Sequence, residues 1–357
     1  MKSIYSIFIF FVIVSNAQDT TNQSGLSWDF FIDAYYSYDF NKPSDHQRPF
    51  FLYNHNRHNE FNINLALVKF SYKNKNLRAS IGLMAGTYPE SNLAAEPSLF
   101  RHIYESQIGI KLFEKKDIWI DAGIFPSHIG FESVISKDGW TLTRSILAEN
   151  SPYYEAGIKI SYASVNKHWR ISLLILNGWQ RIKRPDGNNT PAFGTQITYN
   201  PSDNLLLNSS TFIGNDKPDT GRLMRYFHNF YLVNKISSAL SIIFGVDAGM
   251  EQNAKGSSRM NFWYSPVFIL RYQRKDKWAY ALRMEYYSDK NGVIIAPVAG
   301  NGIEIKGLSL NVDRSIGKNL LWRLELKSLV NRNPFFERGT SLVKSNHSIT
   351  SALVIAF

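Results

Sequence analysis

The sequence contains no cysteine. That absence excludes a disulfide scaffold, a Cys-ligated zinc or iron-sulfur site and a thiol nucleophile. Beyond the first 17 residues it also lacks any apolar run approaching the roughly 18 to 20 residues of a spanning helix, which excludes a helical membrane protein. No glycine-rich stretch sits between a strand and a helix pattern, so no phosphate loop is present. Aromatics are abundant instead: 24 Phe, 19 Tyr and 8 Trp supply large apolar surfaces and argue against disorder.

Forty Lys+Arg against 29 Asp+Glu give a formal net charge of +11. Nucleic-acid binding would want those bases on one stripe or helix. Many instead occupy short polar turns, at Tyr72 to Asn76, Glu114 to Asp117 and Gln273 to Lys277, so no nucleic-acid partner is expected. The amino terminus runs from Lys2 through the apolar stretch Ile4 to Val14 to the small-x-small site Ser15-Asn16-Ala17. Residues 1–17 therefore read as a cleaved secretory signal peptide and 18–357 as one exported domain.

The exported part alternates with a period of two almost throughout. In Asn319 to Val330, Leu320, Trp322, Leu324 and Leu326 alternate with Leu321, Arg323, Glu325 and Lys327. A helix would scatter those three charges, whereas a strand gathers them on one face. The same alternation sets Trp278, Tyr280, Leu282, Met284 and Tyr286 against Ala279, Ala281, Arg283, Glu285 and Tyr287. The pattern predicts an all-β chain of about sixteen long strands, within a range of 14 to 18, too long for a sandwich. Short turns such as Asn200-Pro201-Ser202 and Ser315-Ile316-Gly317 alternate with long connections at 39–59, 89–101, 129–152, 179–191, 289–301 and 332–345. Short turns at one end and long loops at the other are the signature of a single transmembrane antiparallel β-barrel, with periplasmic turns and extracellular loops.

About sixteen strands enclose a lumen too wide for strand side chains alone to fill, so the apolar face must look outward into lipid. Trp28, Tyr38, Tyr72, Trp119, Tyr162, Trp169, Tyr199, Tyr272, Trp278 and Trp322 lie near strand ends, where interfacial girdles form. The chain ends with Ile349, Leu353, Ile355 and Phe357 on one face of its last strand. Such a terminal aromatic is what the barrel assembly machinery of the outer membrane reads, which makes that machinery an expected partner.

Several segments resemble the OmpL-like β-barrel porins of bacterial outer membranes: His58 to Tyr72, Ala122 to Ser133, Trp140 to Tyr162, Asn177 to Ile182 and Ser210 to Asn215. The resemblance spans most of the exported chain. It implies an outer-membrane diffusion channel and brings no catalytic residues with it.

The segment 129–152 is the candidate constriction element, with Glu132, Lys137, Asp138, Arg144 and Glu149 near the eyelet. Charges at a narrowing inside low-dielectric walls bias which ions pass. The polar strand face supplies the candidate wall. Its acids are Asp29, Asp33, Glu60, Glu105, Asp121, Glu155, Asp247, Glu285 and Glu325. Its bases are Arg78, Lys111, Lys159, Arg170, Arg271, Arg283, Arg323 and Lys327. The two sets nearly balance, so the count alone predicts no strong ion selectivity. His55, His58 and Glu60 form an H-x-x-H-x-E cluster without the helical spacing of a zinc protease, and a hydrogen-bond network at the rim is expected in place of a metal site. Ser127-His128 is the nearest nucleophile-base pair, but neighbours on a strand face opposite ways. The expected function is passive diffusion of small hydrophilic solutes or ions through a water-filled porin, without enzyme activity or cofactor. Outer-membrane lipid is the surroundings and a homo-oligomer is possible. The alternative is a structural or adhesive barrel that binds an external partner through its loops, with the lumen plugged.

Overall fold

A computed structural model describes residues 25–357. The signal-peptide assignment at 1–17 lies outside the described residues. The strands are β1 (Gly25–Asp39), β2 (Phe61–Lys73), β3 (Leu77–Ala85), β4 (Ile103–Lys111), β5 (Asp117–Pro126), β6 (Tyr154–Ala163), β7 (Trp169–Leu176), β8 (Ala192–Ser202) and β9 (Leu205–Gly214). They continue as β10 (Arg225–Lys235), β11 (Leu240–Gln252), β12 (Met260–Gln273), β13 (Trp278–Asp289), β14 (Ile303–Ile316), β15 (Leu320–Asn331), β16 (Phe336–Arg338), β17 (Ser341–Val343) and β18 (Ser345–Ala356). Sixteen of them close into one antiparallel barrel in which each pairs with its sequence neighbours, and β1 meets β18. β16 and β17 form a separate hairpin within the last long loop, inside the stretch whose sequence reads as plain loop. Two short helices, α1 (Thr87–Asn92) and α2 (Ile146–Glu149), also lie within long connections.

Closure follows from register. Phe31 pairs with Ala356 and Asp39 with Ser348 across the β1–β18 seam, so the apolar outward set of one strand continues into the next. On β14 and β15, outward Leu308, Leu310 and Leu326 are exposed, while inward Ser309, Asn311, Arg323 and Glu325 are buried. Only hydrocarbon tolerates that exterior, and a closed ladder leaves no open edge in it. A bulge at Asn64, between the pairs Asp33–Leu65 and Ala34–Ile63, lets Asn64 and Leu65 both contribute to the interior. An amphipathic girdle forms at the end with short turns: Trp28, Tyr72, Trp169 and Tyr272 are exposed, Trp169 stacks on Tyr199 at 4.2 Å, and Trp278 meets Trp322. Trp119 departs from the girdle expectation. It is buried on the lumen face beneath the Arg78 guanidinium at 4.5 Å, with its ring nitrogen donating to Asp117, because Asp117 and Asp121 fix the register of β5 the other way round.

The long loops fold inward and pack within the extracellular half of the barrel. Phe51 and Leu52 of the first loop, Ile146 of the third, Trp179 of the fourth, Ile295 of the seventh and Phe335 and Phe336 of the eighth form one apolar cluster. It packs on wall residues that include Phe212, Phe227, Trp263, Ile305 and Leu329. Loop side chains thus occupy part of the wide lumen where strand side chains cannot reach.

Leu310 is 52% exposed at the middle of β14. Leu310→Arg is expected to destabilise the barrel by about 2–4 kcal/mol, as a base at the bilayer midplane does. Equilibrium urea unfolding in lipid vesicles, with Leu310→Phe as the near-neutral control, measures this.

Candidate functional site

The connection between β5 and β6 spans 127–153 and contains the candidate 129–152 segment. Its start is clamped by a carboxylate. Ser127 Oγ donates to Glu155 at 3.1 Å, and His128 Nδ1 faces the same carboxylate at 2.9 Å while Nε2 faces the Thr211 carbonyl at 2.8 Å. Both residues lie beyond the end of β5, so strand alternation no longer separates them and they share one partner. With both ring nitrogens on acceptors, His128 has no lone pair for the Ser127 hydroxyl, and the group is a clamp without an activated nucleophile. Gly194 makes the ring's position accessible: a Cβ there would lie 2.6 Å from Nε2. Farther along, Gly130 N–H donates to Asn229, and Phe131 lies against Gly245, where a Cβ would come within 2.1 Å of the ring.

The middle of the loop is bound to the β13–β15 wall. The Arg283 guanidinium donates to Thr141 Oγ1 at 2.7 Å and to the Thr143 carbonyl at 2.5 Å, and pairs with Glu325 at 3.0 Å, Glu285 at 3.4 Å and Glu132 at 3.5 Å. Backbone N–H groups of Thr143 and Ile146 donate to Glu325 and Glu285 at 2.8 and 2.6 Å, and Leu142 N–H donates to Asn311 at 2.8 Å. Arg323 is held bidentately by Asp313 and donates to the Ser136 and Gly139 carbonyls, while Lys327 donates to the Arg144 carbonyl at 3.1 Å. Ser151 donates to Asp247 at the loop's far end. A loop carries many unpaired backbone groups, and here wall charges satisfy them.

Of the five loop candidates, three are ties. Glu132 accepts from the Ser145 hydroxyl and N–H, Arg144 donates to the Ala148 carbonyl and lies over the Tyr153 ring at 5.0 Å, and Glu149 accepts from Asn54 at 3.1 Å. These three are not free eyelet charges, because the loop's own backbone and its neighbours consume them. Lys137 and Asp138 stay exposed as a mutual pair at 2.6 Å. Of the wall candidates, Glu60 is the correction: it precedes β2, pairs with Arg57 at 2.7 Å and belongs to the rim. Asp33, Arg78, Glu105, Lys111, Asp121, Glu155, Lys159, Arg170, Arg271, Arg283, Glu285, Arg323, Glu325 and Lys327 all lie on the inward row of their strands.

The rim histidines do not converge on a common point. His55 Nε2 pairs with Asp33 at 2.9 Å, and His58 Nδ1 accepts from the Asp39 N–H at 2.8 Å. Sequence reasoning missed Asp313 and Asn311, whose inward alternation on β14 was a usable signal. It also missed Thr141 and Thr143, which carry no signal before the loop's path is known.

Residues of the loop line two cavities. The periplasmic one, about 590 Å³, is lined by Asp29, Phe31, Lys69, Tyr104, Ile135, Lys137 and Asp138 among others. The extracellular one, about 340 Å³, is lined by residues that include Tyr53, Glu149, Ser151, Trp179, Gln180 and Arg225.

A lipid-facing antiparallel barrel of sixteen strands, with short turns, long loops and an ionised interior, defines an outer-membrane porin. Residues 25–357 match the family described as "Putative beta-barrel porin-2, OmpL-like", and the chain belongs to that family. No curated protein matches it in sequence. Among solved structures it is similar to an anion-selective porin from Comamonas acidovorans, with TM-score 0.60 and 8% identity over 94% of this chain and 100% of that one. It is also similar to OmpT of Vibrio cholerae in its trimer form (TM-score 0.61, 9% identity, 94% and 99% covered). A third likeness is to the outer-membrane channel DcaP of Acinetobacter baumannii (TM-score 0.59, 9% identity, 95% and 99% covered). At these identities the likeness is one of fold.

Two outcomes follow from the loop's ties. Arg283→Met leaves three carboxylates facing one another without their shared cation, and is expected to cost about 3–5 kcal/mol of stability. Limited proteolysis should then cut within 129–152, which the parent barrel protects. The second concerns pH. Burial alone would lower the His128 pKa, but the Glu155 carboxylate and the Thr211 carbonyl outweigh it, and the net direction is upward from 6.5. A raised folded pKa makes the clamp fully stabilising below the unfolded value of 6.5 and lost as pH rises through the folded one. Protease sensitivity at the loop's start should therefore grow on going from neutral to alkaline pH, and His128→Gln should flatten that dependence.

Proposed function

We propose that this protein is a passive channel for small hydrophilic solutes and ions, with residues 129–152 as its constriction. The observation that supports the reading is that this segment lines two cavities, with Ile135, Lys137 and Asp138 on the periplasmic one and Glu149, Asn150 and Ser151 on the extracellular one. Ties to β13–β15 fix its middle, and Arg78 and Lys159 on β3 and β6 keep partial contact with water. Transport through such a passage is diffusion and needs neither an energy source nor a cofactor. No reaction is assigned to the chain, since the nearest nucleophile-base pair is consumed as a clamp.

The rest of the reading concerns export and assembly. Residues 1–17 direct export and are removed after Ala17. The assembly machinery reads the final strand, whose Phe357 is exposed on the outward face beside Leu353. A homo-oligomer accords with the trimer form of the Vibrio cholerae relative. The second reading, a plugged barrel with binding loops, draws on the apolar cluster that joins five long loops in the extracellular half.

Planar-bilayer recording separates the two. Detergent-folded protein, verified by its altered gel migration before and after boiling, should give stepwise currents. The cysteine-free background allows a single Lys137→Cys variant, and a charged thiol reagent added to it should reduce the step size. Verified folded protein that stays silent would sink the channel reading in favour of the plugged barrel.

A further inference from the structure

The wall charges balance by number but not by position. Three ion pairs line the periplasmic half of the lumen, and in each the acid is buried at the root while the base reaches toward water. Lys69 is 27% exposed and its partner Glu105 2%, at 3.0 Å. Arg78 is 34% exposed against 2% for Asp121, and Arg271 23% against 5% for Asp313. The geometry at β3–β5 enforces this order. Gly109 leaves the space beside the pair, since a Cβ there would lie 2.2 Å from Asp121 Oδ1, and Trp119 supports the guanidinium from the side.

Lys111, Lys159 and Arg170 add to the same wall, and among the described residues none of them has a carboxylate within ion-pair distance. Lys159 lies over the Phe125 ring at 4.6 Å. The opposing acids Glu155, Glu285 and Glu325 are buried and spent on loop N–H groups, His128 and Arg283. Acids that keep contact with water on that half are Asp29 and Asp138, which line the periplasmic cavity with Lys69 and Lys137, and Asp117, level with Arg170 across β6.

A solute in the vestibule is nearer to the base than to the acid of these three pairs, and it meets Lys111 and Arg170, which have no carboxylate within ion-pair distance among the described residues. In a lumen with low-dielectric walls such a field concentrates anions. Resting on the channel reading above, we infer that the pore is anion-selective. Lys69, Arg78, Lys111, Lys159, Arg170 and Arg271 set the preference, and small carboxylates and phosphates are the solute class it favours.

The test is the reversal potential of single channels in a KCl gradient, for the parent and for a Lys111→Glu, Arg170→Glu double variant that breaks no ion pair. The parent should show several-fold preference for chloride over potassium. The double variant should keep its conductance steps and lose most of that preference. Inorganic phosphate added on the periplasmic side should reduce chloride current through the parent more than through the variant. A conducting parent whose potential is zero or cation-directed overturns the inference and leaves the channel reading intact, and so does a preference unmoved in the variant. Silence from folded protein removes the channel reading itself, and the selectivity with it.

Discussion

A backbone in hydrocarbon has no water to bond, and every other feature of this protein follows from satisfying it. Each strand must donate to and accept from neighbours on both sides, so the sheet closes on itself with β1 against β18. Closure with sixteen strands fixes the circumference, and the circumference fixes an interior that strand side chains do not reach across. Lipid takes the apolar row of each strand, which leaves the polar row to line the inside. The composition that sequence analysis finds, aromatic and moderately charged without cysteine or long apolar runs, is what that division of labour needs.

The interior then poses the opposite problem. Ionisable side chains on a curved wall, removed from bulk water, need partners, and the loops that enter the lumen bring backbone N–H and C=O groups that need partners too. Each set answers the other. Arg283 joins two loop threonines to three carboxylates, Arg323 joins two loop carbonyls to Asp313, and Glu285 and Glu325 accept loop N–H groups. The loop and the β13–β15 wall therefore behave as one polar unit, and removing a member exposes the rest to an uncompensated environment. On the β2–β3 side, Lys69 and Arg78 keep contact with water.

How much of this was legible in the sequence differs by level. Period-two alternation places the strands, because a single register error would turn Arg323, Glu325 and Lys327 into lipid. The same alternation placed nearly every wall candidate on the inward row. Loop paths were not legible, since they depend on contacts between residues more than a hundred positions apart, such as Leu142 with Asn311. For that reason Glu132, Arg144 and Glu149 read as free charges although they are ties, and Glu60 reads as wall although it stands at the rim. Trp119 misled in another way: an aromatic near a strand end suits a girdle by composition, and only the register of Asp117 and Asp121 shows it facing in. Charge balance is a count, and a count says nothing about which partner of a pair is buried.

The seam between the first and last strands has a kinetic meaning. Ser37 and Thr350 bond across it from positions 313 apart, so it is the contact with the greatest loop to close, whereas every other pairing joins sequence neighbours. On its lumen side, Asp39 binds Asn346 at 2.8 Å and Arg48 of the first loop binds Ser348 at 2.9 Å. Those bonds form only once the ring is complete. The bond from Arg48 of the first loop to the last strand is therefore made only at the end of assembly.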